Sequence, residues 1–257
     1  MLIILSPAQT LDFESATTTQ THSEGAFTAE AAELMAGLQA LSVADLQALM
    51  GISEPLATLN AARFAAWRLP HTLENARQAV LAFSGSVYAG LGAADFSEAE
   101  MAFAQRHARI LSGLYGALRP LDLIQPYRLE MQTPLPTAVA DNLYAFWANK
   151  ITDALNAALA EAETDVLVNL ASNEYLQAVQ RKRLQGKLIT PQFKSLRSGK
   201  YRAISFYAKE ARGMMARYAI KRQLTAVNDL QYFTGGGYAF NTTLSTESVW
   251  TFTRDAD

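Results

Sequence analysis

MLIIL, residues 1–5, is the stretch that points most directly to the fold, because five consecutive apolar residues are typical of a strand buried on both faces. A polar stretch, SPAQT at residues 6–10, follows it at once. The start of the chain has neither the basic residues nor the longer apolar core of a signal peptide. We therefore expect a buried first strand and a protein that stays in the cytoplasm.

The composition predicts one folded domain that covers residues 1–257. Half of the residues are apolar and 18% are charged, which supplies ample material for a buried core. No internal repeat or Pro/Gly-rich linker divides the chain, and no apolar run approaches the roughly 18–20 residues that span a bilayer. We expect a soluble protein without a membrane partner.

Helical and extended patterns are mixed along the whole chain. Helices are predicted at residues 29–39, from Asp45 to Met50, from the Ser97–Glu100 pattern to His107, at 142–161 and at 208–223. Ser42 and Ser97 each begin a capping pattern, S-x-x-D or S-x-x-E. Strands are predicted at residues 109–116, 165–170 and 201–207, with a hairpin in the tail between 230 and 253. The sum is an α+β fold, with a mixed sheet or partial barrel surrounded by helices.

Residues 43–64, VADLQALMGISEPLATLNAARF, predict a helix-hairpin-helix-like element in which two short helices flank a turn. Gly51 permits a left-handed turn, and Ser53 can cap the second helix, whose free N–H groups suit a phosphate. Asn60 and Arg63 lie one turn apart and are candidates for further phosphate contacts. Such an element grips a DNA backbone without reading its sequence. An ordinary pair of core helices is the competing interpretation.

The formal net charge of −2 conceals an uneven distribution. Residues 1–180 hold 8 Lys and Arg against 19 acidic residues, whereas residues 181–222 hold 13 against the single acid Glu210. The last 35 residues hold one Arg and four acidic residues. Concentrated positive charge favours a polyanionic partner. Neutralisation of a basic face by the acidic part of the chain is the alternative.

Residues 207–223, YAKEARGMMARYAIKRQ, predict a helix that is basic on one side. Its apolar residues recur at intervals of three and four and form a stripe, from which the cations fall away. These cations are Lys209, Arg212, Arg217 and Lys221. Aromatic residues are interleaved with the basic ones nearby, a mixture that suits stacking of bases beside neutralised phosphates. A solvated basic face over core aromatics is the competing interpretation.

A third cluster, SGLYGALRPLDLIQPYRLEM at residues 112–131, packs charged and tyrosine side chains among Gly and Pro. Charges in such an apolar context need partners, so Arg119 with Asp122 and Arg128 with Glu130 are candidate structural pairs. The same arginines can line a cleft for an anion, because a guanidinium offers a planar fork to phosphate. This cluster, with Tyr127, therefore motivates an alternative function, an enzyme that acts on a nucleotide or a nucleic-acid base.

Familiar catalytic sets are absent from the sequence. There is no cysteine, which excludes disulfides, thiolate metal sites and a Cys nucleophile. His22, His71 and His107 lack metal-ligand spacing, and no G-x-S-x-G, G-x-G-x-x-G or P-loop motif occurs. We predict no metal site, no cofactor and no catalytic residue, and leave enzymatic activity open.

Seven blocks, taken in order, resemble the signature blocks of the YaaA family of bacterial peroxide-stress proteins. They are SPAQTLDF, ISEPLATLNAARF, AFSGSVYAGL, LSGLYGALRPLDLIQPYRLEM, LYAFWANKIT, VLVNLASNEY and ISFYAKEARGMMARY. The likeness extends from Met1 to about Tyr238, and the fourth block is long enough to be specific.

The resemblance implies a bacterial cytoplasmic protein, induced by hydrogen peroxide, that protects DNA and limits intracellular free iron. It implies sequence-independent binding of double-stranded DNA, an unusual α+β fold and a helix-hairpin-helix element, which falls on residues 43–64. It also implies a positively charged cleft, carried over by position to Arg119, Arg128, Lys194, Lys209, Arg212 and Arg217. Further residues expected to line the cleft are Ser6, Gln9, Tyr115, Asp122, Tyr127 and Glu130. No protein partner is implied, and any effect on iron is expected to be indirect.

Two positions depart from the family pattern. The first block usually reads SPAKT, and Gln9 stands in place of its lysine; the GDVY block usually has an acid, and Ser86 stands in its place. If those two residues form an ion pair elsewhere in the family, this chain has lost both halves together. The basic segment at 181–222 is unaffected by either change.

Overall fold

The structure, a computed structural model, describes residues 1–255. The strands are, in chain order, β1 Leu2–Leu5, β2 Thr10–Leu11, β3 Arg77–Gln78, β4 Phe83–Ser84, β5 Ala108–Ser112, β6 Gly116–Leu118, β7 Leu123–Ile124, β8 Val166–Leu170, β9 Lys187–Arg197, β10 Lys200–Arg202, β11 Ala239–Phe240 and β12 Val249–Arg254. The α-helices are α1 Thr28–Gln39, α2 Val43–Met50, α3 Glu54–Ala66, α4 Ala79–Ala82, α5 Ser86–Leu91, α6 Glu98–His107, α7 Leu143–Trp147, α8 Lys150–Glu161, α9 Asn173–Leu176 and α10 Ser205–Lys221.

A mixed eight-stranded sheet organises the fold. Its order is β11-β12-β9-β8-β1-β5-β6, and β10 pairs with β9 outside this path. The five strands from β12 to β5 run parallel to their neighbours, whereas β6, β10 and β11 are antiparallel. The first strand is central, with Leu2 opposite Leu167 on one side and Ile3 opposite Ala108 on the other. Residues 1–5 are no more than 2% exposed, as a strand covered on both faces requires.

This topology corrects the predicted fold class. The parallel core with helices between its strands makes the protein α/β rather than α+β. Within residues 1–255 the sheet is open, because β11 and β6 lie at its two ends and do not pair with each other. The mixed sheet is therefore confirmed, and a closed barrel is not formed.

The local predictions succeed where capping chemistry is explicit. Ser42 and Ser97 both form the complete capping box, in which the serine hydroxyl accepts from the backbone N–H three residues later. The predicted helix at 142–161 is instead divided into α7 and α8, because Ala148 adopts a positive φ of 40°. The predicted strand at 201–207 is also wrong beyond Arg202, because α10 begins at Ser205.

Two glycines, Gly213 of α10 and Gly90 of α5, allow the backbones of these two helices to come into direct contact. A Cβ at Gly213 would lie 1.8 Å from the carbonyl oxygen of Val87, and one at Gly90 would lie 2.3 Å from that of Glu210. Both distances are shorter than any real Cβ contact, so each position requires glycine. This close crossing fixes the side chains of α10 beside the segment that leads into α5.

Candidate functional site

A cleft opens at the carboxyl ends of the two central parallel strands. Ser6 directly follows β1, and Ser172 lies two residues after β8; the backbone N–H of Ser172 donates to Ser6 Oγ at 2.8 Å. Within the large sheet, the strand that follows β1 in the chain is β5, which lies on one side of the β8–β1 pair. The strand that follows β8 is β9, which lies on the other side of that pair. This reversal is the topological switch point at which open α/β sheets bind ligands.

The cleft has a volume of about 350 Å³ and mixes charged, hydroxyl and tyrosine side chains. Its polar lining residues are Ser6, Gln9, Thr10, Ser84, Ser86, Tyr127, Arg128, Glu130, Ser172, Glu174, Tyr175, Lys209 and Arg212. The volume lies near the lower end of the range for small-ligand pockets, about 300–1,000 Å³.

One wall of the cleft carries Lys209 and Arg212, which α10 presents from adjacent turns. Neither side chain forms an ion pair with a carboxylate of residues 1–255. Burial lowers the pKa of the Arg212 guanidinium below its ordinary value. A half-buried guanidinium without a counter-charge leaves that wall electropositive.

The lining also includes two carboxylates, Glu130 and Glu174, with different surroundings. Glu130 is satisfied, because Arg128 lies 3.0 Å from its Oε1 and the amide of Gln9 donates to the same oxygen at 2.5 Å. Glu174 has no cationic partner among residues 1–255 and accepts a long bond from the backbone N–H of Gln132 at 3.3 Å. Burial raises the pKa of Glu174, and the nearby charge of Glu130 raises it further.

Tyrosines supply the buried part of the lining. Tyr127 is 4% exposed, and its hydroxyl shares a 2.7 Å hydrogen bond with Ser112 Oγ. Tyr175 is 5% exposed. Burial raises the pKa of both phenols, so they remain neutral near pH 7. The cleft therefore combines two buried aromatic side chains with lining residues that are mostly polar.

The structure brings seven of the predicted residues together in this cleft. They are Ser6, Gln9, Tyr127, Arg128, Glu130, Lys209 and Arg212. Ser86 lines it as well. Glu174, Tyr175 and Ser172 were not predicted, although polar residues directly after the buried strand at 165–170 are a signal that could have found them.

Two residues expected in the cleft lie elsewhere, in the protein interior. The Tyr115 hydroxyl accepts from Trp67 Nε1 at 2.9 Å and is surrounded by core side chains. Asp122 is 1% exposed and pairs with Arg119 at 3.1 Å. Their polar groups are used for buried hydrogen bonding, so the prediction that they line the cleft is wrong.

Three predicted phosphate ligands, Arg217, Lys194 and Arg119, lie outside the cleft. Arg217 is held by both oxygens of Asp95, at 2.8 and 2.6 Å, and Lys194 is half-buried on β9. Arg119 donates to Asp122 and to the Glu24 carbonyl oxygen. The two paired arginines are therefore less available to a phosphate than Lys209 or Arg212.

The segment at 43–64 forms two helices, α2 and α3, with Gly51 in the predicted left-handed conformation at φ 61°. Gly51 and Ser53 lie at the surface. Asn60 is 1% exposed and donates to the Leu56 carbonyl oxygen at 2.7 Å, so its assignment as a phosphate ligand is corrected. Arg63 is partly buried, which lowers its pKa. The paired helices are present, but a helix-hairpin-helix function for them stays a prediction.

Most of the basic segment is not neutralised by the acidic part of the chain. Of its thirteen cations, Arg183, Arg217 and Lys221 form ion pairs with carboxylates. Among residues 1–255 no ion pair forms at the other ten, which are Arg181, Lys182, Lys187, Lys194, Arg197, Lys200, Arg202, Lys209, Arg212 and Arg222. Three of them, Arg197, Lys200 and Arg202, are exposed on the β9–β10 hairpin and are called the basic hairpin below.

Together, the fold and the cleft define an open α/β-sheet protein with a charged cleft at the switch point of its sheet. A comparison with known families gives the narrower assignment. The chain belongs to the family described as peroxide stress protein YaaA, whose sequence model matches residues 1–244. The resemblance noted in the sequence blocks is thereby confirmed.

Curated relatives match the chain over its full length. A UPF0246 protein of Saccharophagus degradans is 52% identical over 254 residues, which cover 99% of each chain. A UPF0246 protein of Tolumonas auensis is 52% identical over 257 residues, covering 100% of this chain and 99% of the relative. One from Cellvibrio japonicus is 50% identical, with 99% of each chain covered.

Residues 1–255 lack the features of two other classes of site. No group of three or more His, Asp or Glu side chains is arranged to hold a metal ion there. Nor does any helix in that part of the chain combine the length and apolar character needed to cross a membrane.

Proposed function

We propose that the protein binds double-stranded DNA through its sugar-phosphate backbone, without sequence preference. The observation that carries the proposal is that ten of the thirteen cations in residues 181–222 have no carboxylate partner among residues 1–255. Cations of this kind neutralise phosphates and release condensed counterions, which drives binding to any duplex. The exposed turn around Gly51 is proposed as an additional backbone contact.

Family membership supports the biological setting of this activity. We propose that the protein acts in the cytoplasm during hydrogen peroxide stress, protects DNA and limits free iron. The effect on iron is proposed to be indirect. Equilibrium dialysis with ferrous iron tests this point, and a stoichiometric iron site would contradict it.

A salt-titrated binding assay with a short duplex tests DNA binding. The logarithm of the affinity should fall linearly with the logarithm of the salt concentration, with a slope of about −0.9 for each phosphate contact. The double variant Lys200→Gln/Arg202→Gln should bind all duplex sequences more weakly and reduce the magnitude of the slope by up to about 1.8.

The matched control is Arg68→Gln/Arg106→Gln, which removes the same number of charges from exposed positions outside the basic segment. Its slope should stay close to that of the wild type. An affinity that does not change with salt, or equal losses in the two double variants, would contradict a localised phosphate-binding surface.

We also propose a second candidate function, an enzyme that acts on a nucleotide or a nucleic-acid base. It is supported by Glu174, whose pKa is raised by burial, in the same cleft as Lys209 and Arg212. A carboxyl group with a raised pKa holds its proton more firmly than a free one, which suits a role in proton transfer. Incubation with nucleotides and damaged DNA, followed by chromatography of the products, tests it; a complete lack of turnover would contradict it.

A further inference from the structure

We propose that the cleft binds one nucleoside monophosphate unit, with its phosphate against Lys209 and Arg212 and the amino edge of its base against Glu174. The proposal names the ligand of the second candidate function and rests on it. It is independent of the basic hairpin, which lies outside the lining of the cleft.

The charges of the cleft do not satisfy one another. Lys209 and Arg212 have no carboxylate within 4.0 Å, and Glu174 has no cation within that distance, among residues 1–255. Glu130, by contrast, is already bonded to Arg128 and Gln9. Unpaired charges of both signs on one cleft favour a ligand with an anionic group and hydrogen-bond donors.

The location and shape of the cleft favour a nucleotide over other ligands with these two features. Phosphate-bearing ligands bind open α/β sheets at the switch point, where Ser6 and Ser172 add hydroxyl groups. The volume of about 350 Å³ suits one nucleotide and is small for a longer piece of a strand. Tyr127 and Tyr175, 4% and 5% exposed, add a small apolar surface to the lining, which suits contact with a base.

The carboxylate of Glu174 also predicts which bases bind best. A carboxylate accepts hydrogen bonds only, and guanine presents two neighbouring donors, its ring N–H and its exocyclic amino group. Uracil presents a single N–H flanked by two carbonyl oxygens, which a carboxylate repels. We therefore expect guanosine monophosphate to bind more tightly than uridine monophosphate.

Isothermal titration calorimetry of the full chain at low salt tests the proposal. Guanosine monophosphate should bind about tenfold or more tightly than uridine monophosphate, as expected when a charged acceptor distinguishes them. Inorganic phosphate should compete with both nucleotides, because it occupies the Lys209 and Arg212 wall.

Two substitutions test the contact with the base and the contact with the phosphate separately. Glu174→Gln should bring the affinity ratio between the two nucleotides close to one, because the amide both donates and accepts. Arg212→Gln should weaken both nucleotides about tenfold, because a charge-assisted bond to phosphate is lost. Glu247→Gln and Arg106→Gln are the controls, since both residues are exposed and outside the cleft; neither should alter nucleotide binding.

A second titration identifies the source of the nucleotide. A duplex with one unpaired guanosine is compared with the fully paired duplex, with and without free guanosine monophosphate. Extra affinity for the unpaired guanosine, removed by the free nucleotide and by Glu174→Gln, would show that the cleft takes a residue from a strand. Equal affinity for both duplexes, together with binding of free guanosine monophosphate, would show that the cleft takes free nucleotides.

The proposal is overturned if neither nucleotide binds up to about 5 mM, or if Glu174→Gln and Arg212→Gln both bind them as the wild type does. Nucleotide binding without turnover would remove only the enzymatic function. Lys200→Gln/Arg202→Gln should leave nucleotide binding unchanged. A failure of the duplex-binding proposal can therefore be distinguished from a failure of the nucleotide-binding proposal.

Discussion

Replacing Gly213 with alanine should destabilise the protein and deform the cleft. The added Cβ would lie 1.8 Å from the Val87 carbonyl oxygen and 2.8 Å from the Leu91 nitrogen. Real Cβ atoms essentially never approach another atom within 3.0 Å, so α5 and α10 must separate by at least about 1.2 Å. Both clashing groups are backbone atoms, which cannot rotate away.

The expected cost is about 1–3 kcal/mol, as for overpacking elsewhere in a dense interior. The intrinsic helix propensity of alanine offsets up to about 1 kcal/mol of it. At about 2–4 °C per kcal/mol for a chain of this size, the melting temperature should fall by several degrees. Because Arg212 precedes the substituted position, guanosine monophosphate affinity should fall as well.

Gly37→Ala is the matched control, because Gly37 lies inside α1 and an added Cβ meets nothing within 4 Å. It should raise the free energy of unfolding by up to about 1 kcal/mol. Urea unfolding followed by circular dichroism measures both variants. If Gly213→Ala were as stable as the wild type or gained stability like the control, the tight helix crossing would be refuted.

Two further predictions concern pH and the core. The hydrogen bond from Arg217 lowers the pKa of Asp95 from 3.8 to about 2, so its stabilising contribution is present above pH 3.8 and is lost as the pH falls towards 2. Asp95→Asn should therefore lower the free energy of unfolding above pH 3.8, by no more than about 1 kcal/mol because the pair is exposed. The difference in stability between wild type and variant should disappear as the pH falls towards 2. A difference that stays constant with pH would contradict the lowered pKa of Asp95. Tyr115→Phe leaves the Trp67 indole N–H unpaired in the core and should lower the free energy of unfolding by about 1–3 kcal/mol, measured by urea unfolding. The control is Tyr232→Phe, because Tyr232 is 74% exposed; it should change the free energy of unfolding by less than about 0.5 kcal/mol. Equal effects of the two would refute the buried bond.

Local features of the fold could be predicted because their causes lie within a few residues. A serine followed three residues later by an acid satisfies the free N–H groups of a helix start, and both such patterns form complete boxes at Ser42 and Ser97. MLIIL was recognisable as a buried strand because no polar residue interrupts it. The order of the strands depends instead on contacts between distant segments, such as Leu2 with Leu167, which no local pattern reports.

The site was predictable in part for the same reason. Charge density located Lys209 and Arg212, and the likeness of whole blocks located Gln9 and Glu130. Burial could not be seen in the sequence, so Tyr115 and Asp122 were expected in the cleft although they bond within the core. Spacing along a helix likewise placed Asn60 near a phosphate without revealing that its side chain faces inward.

Gln9 and Ser86, where the resemblance of the sequence blocks leads us to expect a lysine and an acid, both bear on the charge of the cleft. Gln9 and Ser86 both line it, so a lysine and an acid at these positions would add charges of opposite sign to one small volume. With Gln9, the Glu130 carboxylate keeps a hydrogen bond from the amide but is neutralised by Arg128 alone. Among residues 1–255, Lys209, Arg212 and Glu174 are then the charged residues of the lining without an ion-pair partner.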